Sequence, residues 1–263
     1  MSDATTPGTD PAEDPAELVH LEVSDGVATI TLDSAHNRNA LSRQLLTELV
    51  AHLGAADADD QVRVVLLKSS GRVFCSGADL SEAATVPMQE GAQAIVALQR
   101  QIVELSKPVV TVVEGAARAG GIGIVAASDV VLVADDATFA LTEVKLGLTP
   151  AVISLTVFPR MTSRAAAWTA LGGEVFTGTE AVDFGLATFA VPNAELDTKV
   201  AEVIAKLATG APQGLRETKR LLAADLLARI EAGGDDLVEL SARLFGSEPA
   251  REAMTAFLSR KKS

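Results

Sequence analysis

Cysteine, histidine and aromatic residues are scarce in this sequence of 263 residues. The single cysteine, Cys75, excludes a disulfide within the chain. The three scattered histidines, His20, His36 and His52, do not have the spacing of metal ligands, so we expect neither a zinc site nor a cysteine–histidine nucleophile pair. Aromatic residues make up 3% of the chain and tyrosine is missing, which argues against a surface that stacks on nucleic-acid bases.

Long apolar runs and an excess of basic residues are also missing. The longest apolar stretches, residues 122–127 and 130–134, are separated by Ser128 and Asp129 and are too short to span a bilayer. The net charge of −13 opposes nonspecific attraction to nucleic acid or to an anionic membrane. We therefore expect no transmembrane helix, no nucleic-acid partner and no membrane partner.

The composition predicts one main folded domain with a short N-terminal extension. A hydrophobic content of 48% over 263 residues is enough to bury a sizeable core. Residues 1–17 are rich in proline, threonine, alanine and acidic side chains and lack the features of a signal peptide, which predicts a disordered tail on a cytoplasmic protein. Residues 18–194 are predicted to form the core, and residues 195–263 a helical C-terminal region.

Strand and helix patterns alternate in the core. Alternating apolar residues around Asp25-Gly26 predict a β-hairpin, and Ser42 is predicted to cap a helix that approaches its end at Gly54. Nearly continuous β-branched segments predict buried strands with helices between them, as in the β-α-β units of an α/β fold. The strands are predicted at residues 62–67, 109–113 and 130–133, and the helices at residues 92–105 and 120–127.

Helical periodicity replaces the strand pattern after about Leu196. Ser247 is predicted to cap the last helix, with Pro249 just inside it. The helical segments are predicted at residues 203–207, 215–230, 237–244 and 250–258.

Two segments place small residues where main-chain N–H groups can meet a ligand. Residues 74–80 follow a predicted strand, and the N–H of Ala78 is a candidate donor to a bound carbonyl oxygen. Residues 114–123 run from a strand into a glycine-rich helix start, where Gly120 is placed to supply a second donor. Two such donors would stabilise the enolate-like charge that forms when a thioester is attacked or deprotonated. The pattern therefore predicts chemistry next to a thioester carbonyl.

The glycines of the second segment do not match nucleotide-binding motifs. Gly120, Gly121 and Gly123 lack the G-x-G-x-x-G spacing, and no suitable acidic residue is evident after the next strand. The chain also contains no Walker-type Gly-Lys-Ser/Thr sequence. Cys75 lies beside the first segment without a base partner, so it is predicted to be a small buried residue with no catalytic role.

Several short motifs occur in an order that is specific as a whole, although no single motif is diagnostic. They are residues 39–42 (NALS), 74–80 (FCSGADL), 107–109 (KPV), the glycine segment, 143–148 (EVKLGL), 177–178 (TG) and 181–187 (AVDFGLA). In this order the chain resembles the enoyl-CoA hydratase/isomerase (crotonase) family, from about residue 18 to the C-terminus.

The resemblance implies a fold, a substrate and a set of site residues. It implies a spiral of β-β-α units with a helical C-terminal trimerisation region, in a homotrimer or a homohexamer of two trimers. The substrate would be an acyl-CoA thioester, with no metal and no cofactor apart from the coenzyme A of the substrate. The resemblance assigns oxyanion-hole N–H groups to Ala78 and Gly120 and a catalytic carboxylate to Glu143. The other residues predicted to bind the substrate are Ser76, Gly77, Asp79, Leu80, Gly121, Arg118, Thr142 and Pro150.

One departure from the family pattern affects the reaction type. Members that hydrate enoyl-CoA usually have two catalytic glutamates, and Gly123 stands at the position of the first. Hydration of a 2-enoyl-CoA by Glu143, helped by Arg118 or Ser154, is the first interpretation. A Δ3-Δ2-enoyl-CoA isomerase is the second, because one carboxylate is sufficient for a 1,3 proton shift. A noncatalytic acyl-CoA-binding protein is the third.

Three further expectations concern the surroundings of the site. Residues 150–154 (PAVIS) stand where members often have Pro-Gly-Ala-Gly-Gly, which predicts a narrower and more apolar pocket wall. Arg118 is predicted to form an ion pair with Glu114 or Glu143, and contact with a substrate carboxylate is the alternative. Basic side chains, including those of residues 260–262, are expected to meet the phosphates of coenzyme A.

Overall fold

The computed structural model describes residues 16–79, 81–82 and 87–260, with side chains up to residue 256. Within these ranges the strands are β1 (Val19–Ser24), β2 (Val27–Leu32), β3 (Val64–Ser69), β4 (Val73–Cys75), β5 (Val109–Val113), β6 (Ala116–Arg118), β7 (Val130–Ala134), β8 (Thr138–Ala140), β9 (Val175–Thr177) and β10 (Phe189–Val191). The helices are α1 (Arg43–Ala58), α2 (Met88–Glu104), α3 (Gly120–Ala127), α4 (Ser154–Arg160), α5 (Ser163–Gly172), α6 (Gly178–Asp183), α7 (Asn193–Ala208), α8 (Pro212–Phe245) and α9 (Glu248–Arg260).

The central sheet has six strands in the order β1-β2-β3-β5-β7-β10. The predicted hairpin is confirmed, since β1 and β2 pair antiparallel and Asp25 and Gly26 turn between them with φ of 51° and 79°. The other neighbours in the sheet pair in parallel. All five residues of β5 are buried, as expected for a parallel strand that is covered on both faces.

A second sheet, in the order β4-β6-β8-β9, lies beside the first. Its strands β4, β6 and β8 directly follow β3, β5 and β7 in the chain, and each pair is then followed by a helix. The same turn of strand, strand and helix is therefore made three times, so the predicted spiral of β-β-α units in an α/β fold is confirmed.

Helix α1 begins at the predicted cap and extends beyond Gly54. The Ser42 hydroxyl accepts a hydrogen bond from the N–H of Leu45 at 3.3 Å, which confirms the predicted cap. The end was predicted to start at Gly54, but the helix continues for about one more turn, to Ala58. Glycine costs about 1 kcal/mol relative to alanine inside a helix. Ala56, which lies beyond Gly54, is buried, so the apolar face of the helix still packs against the core there.

The C-terminal region is helical, but its longest helix differs from the prediction. Residues 212–245 form one helix of 34 residues, whereas two segments separated near Gly233 and Gly234 were expected. A Cβ atom at Gly233 would lie 3.5 Å from Leu155, and one at Gly234 would lie 3.4 Å from Val96. Both distances are those of ordinary van der Waals contact, so α8 packs against its neighbours along this stretch and the two glycines do not interrupt it. The N–H of Ala250 donates to the Ser247 hydroxyl at 3.3 Å, which confirms the cap of α9.

None of the helices in the described ranges is long and apolar enough to cross a membrane.

Candidate active site

A cavity of about 130 Å³ lies where the loop after β4, the start of α3, the segment after β8 and helices α2 and α8 meet. Its walls are formed by Leu41, Ala78, Asp79, Glu82, Pro87, Met88, Gly91, Ala92, Ile95, Ala119, Gly120, Glu143, Thr149, Pro150, Ala151, Val152, Ile153, Ser241 and Phe245. The three residues predicted to carry the chemistry, Ala78, Gly120 and Glu143, therefore lie on one cavity.

The loop after β4 brings Ala78 to the cavity. Gly77 has φ of +96°, a conformation that favours glycine, and it turns the chain after Cys75 and Ser76. The carbonyl of Gly77 accepts a hydrogen bond from the N–H of Leu41 at 2.8 Å, which fixes the loop against the start of α1. Within the described ranges the N–H of Ala78 donates to no protein acceptor, so it is available to a ligand.

Gly120 lies on the wall of the same cavity and is the first residue of α3, a position whose N–H has no acceptor within the helix. The preceding residue, Ala119, has φ of 45° and ψ of −118°, a strained conformation for a residue with a side chain. A Cβ atom at Gly77 would lie 2.8 Å from the Ala119 Cβ and 3.7 Å from the Gly120 nitrogen. The two N–H groups are thus carried by segments in direct contact.

Glu143 occupies the first position of a short 3-10 helix, Glu143–Leu146, just after β8. Its Oε2 atom is buried and has no hydrogen-bond partner within the described residues. Burial raises the pKa of this carboxyl from 4.5 to about 7, although the N–H of Glu143 itself partly opposes the shift. Near neutral pH the group is therefore divided between acid and carboxylate, which suits proton transfer in either direction.

Helix α9 supports the segment that carries Glu143. Gly147 ends the 3-10 helix with φ of +70°, and a Cβ atom there would lie 3.2 Å from the Cα of Ala250. This close contact places the start of α9 directly against the turn after Glu143. The position of the carboxyl therefore depends on the C-terminal region as well as on the core.

Gly123 lies one turn into α3 and carries no side chain toward the site. A Cβ atom there would be 2.8 Å from Ile153 Cγ2 and 3.2 Å from Gln99 Oε1. The Gln99 side chain is fully buried, accepts a hydrogen bond from the Thr156 hydroxyl at 2.5 Å and donates to the carbonyl of Val152 at 3.2 Å. The space that a longer side chain at position 123 would need is thus filled by packed groups.

Some of the other residues predicted to bind the substrate lie on the cavity wall and others do not. Asp79 and Pro150 line the cavity, whereas Ser76, Gly77, Gly121, Arg118 and Thr142 are not on its walls. Leu80 lies outside the described residues. Burial opposes the ionisation of Asp79, but hydrogen bonds from Ser81 and Asn37 outweigh it and hold the pKa below its ordinary value.

The residues that do not line the cavity have structural contacts instead. The Ser76 hydroxyl donates to the carbonyl of Asn37 at 3.2 Å, and a Cβ atom at Gly121 would lie 2.7 Å from the Cys75 Cβ. Ser154, one of the two predicted helpers, donates from its hydroxyl to the carbonyl of Ala151 at 2.7 Å and is not on the cavity wall.

Arg118 does not form the predicted ion pair with Glu114 or Glu143, as judged from the described part of the chain. Its guanidinium donates to the carbonyls of Ala117 and Thr138 and to the Thr138 hydroxyl, and burial lowers its pKa. The guanidinium thus bonds to carbonyls of β6 and β8 and to no carboxylate of the described residues. Arg118 thereby links the two strands. The patch at residues 260–262 has no described side chains.

Helices α2 and α8 contribute wall residues that the sequence motifs did not indicate. Met88, Gly91, Ala92 and Ile95 lie on one face of α2, and Ser241 and Phe245 lie near the end of α8. The helical spacing of the α2 residues is visible in the sequence, but it is also the pattern of an ordinary core helix. No local signal predicted that the end of α8 would reach the site.

Thiol or metal chemistry has no support in the described residues. Burial raises the pKa of the Cys75 thiol to about 12, so the thiol is protonated near neutral pH. No group of three or more histidine, cysteine, aspartate or glutamate side chains in the described ranges is arranged to hold a metal ion.

The spiral of β-β-α units, with two free N–H groups and a buried carboxyl on one cavity, defines the crotonase class of α/β proteins. The family model described as enoyl-CoA hydratase/isomerase matches residues 22–263, and the chain belongs to that family.

Relatives and solved structures of known family membership cover nearly the whole chain. It is 32% identical to a protein of Bacillus subtilis named "Probable enoyl-CoA hydratase", over 93% of this chain and 96% of that protein. It is 26% identical to the peroxisomal Delta(3,5)-Delta(2,4)-dienoyl-CoA isomerase of Arabidopsis thaliana, over 94% and 95% of the two chains. The crystal structure of an enoyl-CoA hydratase from Mycobacterium avium is 41% identical, with a TM-score of 0.88 over 94% of this chain and 98% of that chain.

Proposed function

We propose that this protein hydrates a 2-enoyl-CoA thioester, with Glu143 as the proton-transfer group. The observation that carries the proposal is the buried, unpartnered Oε2 atom of Glu143 on the same cavity as the N–H groups of Ala78 and Gly120. Family membership and a similar protein named as an enoyl-CoA hydratase support the same reaction.

The proposed mechanism assigns one task to each group. The thioester carbonyl oxygen accepts hydrogen bonds from the N–H groups of Ala78 and Gly120, which stabilise the enolate that forms when the conjugated bond is attacked. An oxyanion-hole donor of this kind is worth about 3 kcal/mol of transition-state stabilisation. The protonated Glu143 gives its proton to C2 while the oxygen of a water molecule bonds to C3. The proton released by that water returns to Glu143, so the enzyme ends the cycle unchanged.

The alternative of a noncatalytic acyl-CoA-binding protein is disfavoured because burial of the Glu143 carboxyl lowers the stability of the fold. A carboxyl that has one oxygen buried without a partner opposes folding when it is ionised. A protein that only bound the substrate would gain nothing from this group, whereas proton transfer requires it.

Isomerisation of a 3-enoyl-CoA is a second candidate, and Gly123 is the observation that favours it. Ile153 and Gln99 fill the space beside Gly123, so the cavity wall holds no second carboxylate there. A single carboxylate can take the proton from C2 of a 3-enoyl-CoA and return it to C4 of the same enolate. This reaction needs no water, and the apolar wall of Pro150, Val152 and Ile153 suits it.

Two spectroscopic assays distinguish these reactions. Crotonyl-CoA loses its conjugated thioester absorbance on hydration, and 3-hexenoyl-CoA gains it on isomerisation. We expect loss of crotonyl-CoA absorbance with the wild-type protein and a fall of at least 100-fold with Glu143→Ala. The matched control is Glu174→Ala, which removes an exposed glutamate paired with Lys145 and should leave the rate unchanged.

Conversion of 3-hexenoyl-CoA alone would replace hydration with isomerisation as the function. Both proposed reactions would be overturned if the protein binds a saturated acyl-CoA but shows no Glu143-dependent turnover of either enoyl-CoA substrate.

We also propose that no cofactor or metal takes part. Proton transfer by Glu143 and charge stabilisation by two N–H groups need neither. Activity should therefore survive dialysis against EDTA, and loss of activity that Mg²⁺ or Zn²⁺ restores would contradict this. Coenzyme A enters only as part of the substrate, and contact of its phosphates with residues 260–262 stays a prediction, as does the cytoplasmic location.

Assembly as a homotrimer or homohexamer belongs to the same proposal. Two groups of large apolar side chains are exposed on the single chain. The first, called the α5 patch, consists of Trp168, Leu171 and Val175, and the second, called the α8 patch, consists of Leu221 and Leu222. A hexamer of two trimers needs two different interfaces, and exposed apolar side chains of this size are candidates for such surfaces.

A further inference from the structure

Gly91 lies on the cavity wall in the first turns of α2. Met88, Gly91, Ala92 and Ile95 have the spacing i, i+3, i+4 and i+7, so they share one face of the helix, and all four line the cavity. The missing side chain of Gly91 therefore belongs to the wall that faces a bound ligand.

Among the described residues, the space beside Gly91 is open. Apart from its chain neighbours and the backbone of α2, none of their atoms lies within 4 Å of a Cβ atom built at Gly91, whereas Cβ atoms at Gly120, Gly121 and Gly123 would each come within 3.0 Å of a neighbour. Close packing thus explains the other three glycines but not Gly91. Glycine is also a poor helix former compared with alanine, so helix stability does not explain this residue either.

This end of the cavity suits an apolar group better than the polar part of coenzyme A. The wall residues that flank Gly91 on the same face of α2 are Met88, Ala92 and Ile95, and all three are apolar. Apolar side chains on one helix face gain free energy when an apolar chain covers them, whereas a phosphate placed against them would lose its hydration, so the phosphates of coenzyme A are disfavoured here.

We propose that Gly91 determines the length of acyl group that the site accepts. The open space beside it receives the part of an unbranched acyl chain that extends beyond the first four carbons, so the substrate class includes longer straight-chain acyl-CoA thioesters. This inference rests on the proposed function, since it takes the thioester to lie between Ala78, Gly120 and Glu143. A side chain at position 91 would fill the space and exclude the distal part of the chain.

The test compares Gly91→Leu with Gly214→Leu. Gly214 is also a helical glycine with no described atom within 4 Å of an added Cβ, but it is exposed near the start of α8 and lies off the cavity. Binding of butyryl-CoA and decanoyl-CoA is measured by calorimetry, and kcat/KM is measured with crotonyl-CoA and 2-decenoyl-CoA. Gly91→Ala provides a smaller obstruction, and its thermal unfolding, with that of Gly91→Leu, shows that both variants fold.

We expect Gly91→Leu to weaken decanoyl-CoA binding at least tenfold and to change butyryl-CoA binding less than twofold, because each buried methylene contributes roughly fourfold to affinity. The kcat/KM values should follow the same pattern, with Gly91→Ala intermediate and Gly214→Leu unchanged. An equal effect on both chain lengths, or none on either, would overturn the proposal. Because binding of saturated esters needs no turnover, a failure of the proposed reaction leaves the calorimetric comparison decisive for Gly91.

Discussion

At the scale of one residue, the burial of Glu143 has a cost to stability beside the chemical role proposed for it. Burial raises the pKa of its carboxyl from 4.5 in the unfolded chain to about 7 in the folded protein. The folded state therefore binds more protons between these two pH values, and the contribution of this group to stability decreases as pH rises from about 4.5 to about 7. A shift of this size corresponds to about 3 kcal/mol.

Substitution Glu143→Gln should therefore stabilise the protein in a pH-dependent way. The amide stays neutral, so we expect the variant to exceed the wild type by about 1–3 kcal/mol at pH 8 and by almost nothing at pH 4.5. Urea unfolding at both pH values measures the difference. Glu174→Gln serves as the exposed control, and a Glu143→Gln gain that is equal at both pH values would show that burial of the charge is not its cause.

The pH profile of kcat/KM distinguishes the two reactions of Glu143. Hydration, as proposed, starts from the protonated carboxyl, so its rate should fall above a pH of about 7. Isomerisation starts from the carboxylate, so its rate should rise through the same pH. Stopped-flow or steady-state assays with the two enoyl-CoA substrates measure both profiles, and a flat profile would remove Glu143 from the rate-determining proton transfer.

The packing around Gly123 predicts that substitutions at Gly123 and Ile153 have non-additive effects on the free energy of unfolding. Gly123→Ala places a methyl group 2.8 Å from Ile153 Cγ2, so we expect a loss of about 1–3 kcal/mol in the free energy of unfolding. Ile153→Ala removes the Cγ2 atom, and the double variant should recover about 1 kcal/mol relative to the sum of the single changes. Additive effects in urea unfolding would mean that the clash is relieved elsewhere.

Helix α8 is held to the core by a buried lysine, at the scale of the secondary-structure element. The Lys219 amine is 2.8 Å from Asp129 Oδ2 and donates to the carbonyls of Ile102 at 3.0 Å and Lys107 at 2.9 Å. Burial lowers the pKa of this amine, although Asp129 opposes the shift. The side chain therefore links α8 to the end of α2 and to the start of β5, on the elements that carry the cavity.

Lys219→Met should destabilise the protein by about 3 kcal/mol, because Asp129 and two carbonyls lose their shared donor in a buried setting. The control is Lys206→Met, which breaks an exposed pair with Glu202 and should change stability by less than about 1 kcal/mol. Thermal and urea unfolding measure both variants. Equal small losses would mean that the buried lysine is tolerated and does not stabilise the fold.

Assembly is decided at the scale of the whole molecule. The side chains of Trp168 and Leu171 in the α5 patch are 63% and 76% exposed, and those of Leu221 and Leu222 in the α8 patch are 72% and 73% exposed. Burying a large apolar side chain is worth about 2 kcal/mol, so covering either patch favours association.

Light scattering after size exclusion should therefore give the mass of a trimer or a hexamer. A charge in either patch, as in Trp168→Glu or in Leu221→Glu with Leu222→Glu, should give a smaller assembly. Val23→Glu, which changes an apolar residue at 45% exposure outside both patches, should leave the mass unchanged. A monomeric wild type would refute the proposed assembly.

Much of the chain follows from local patterns in its sequence. The Asp25-Gly26 hairpin, the fully apolar strand β5 and the Ser42 cap depend on neighbouring residues, because backbone preference and the periodicity of burial are local properties. The ordered motifs also placed Ala78, Gly120 and Glu143 in one site, since together they identify the family. Helix length at Gly54 and across Gly233 and Gly234 was mispredicted, because contacts between distant segments outweigh the low helix propensity of glycine.

The tertiary structure decided what surrounds those three residues. The strained turn at Ala119, the bonds of Arg118 to strand carbonyls and the open space at Gly91 depend on groups far away in the chain. Phe245 reaches the cavity only because α8 continues unbroken to that residue. The sequence by itself determined the fold class and singled out three residues that meet on one cavity, since local patterns and motifs carry both. The shape of the pocket and the protonation of Glu143 were decided by packing, because burial depends on which segments meet in three dimensions.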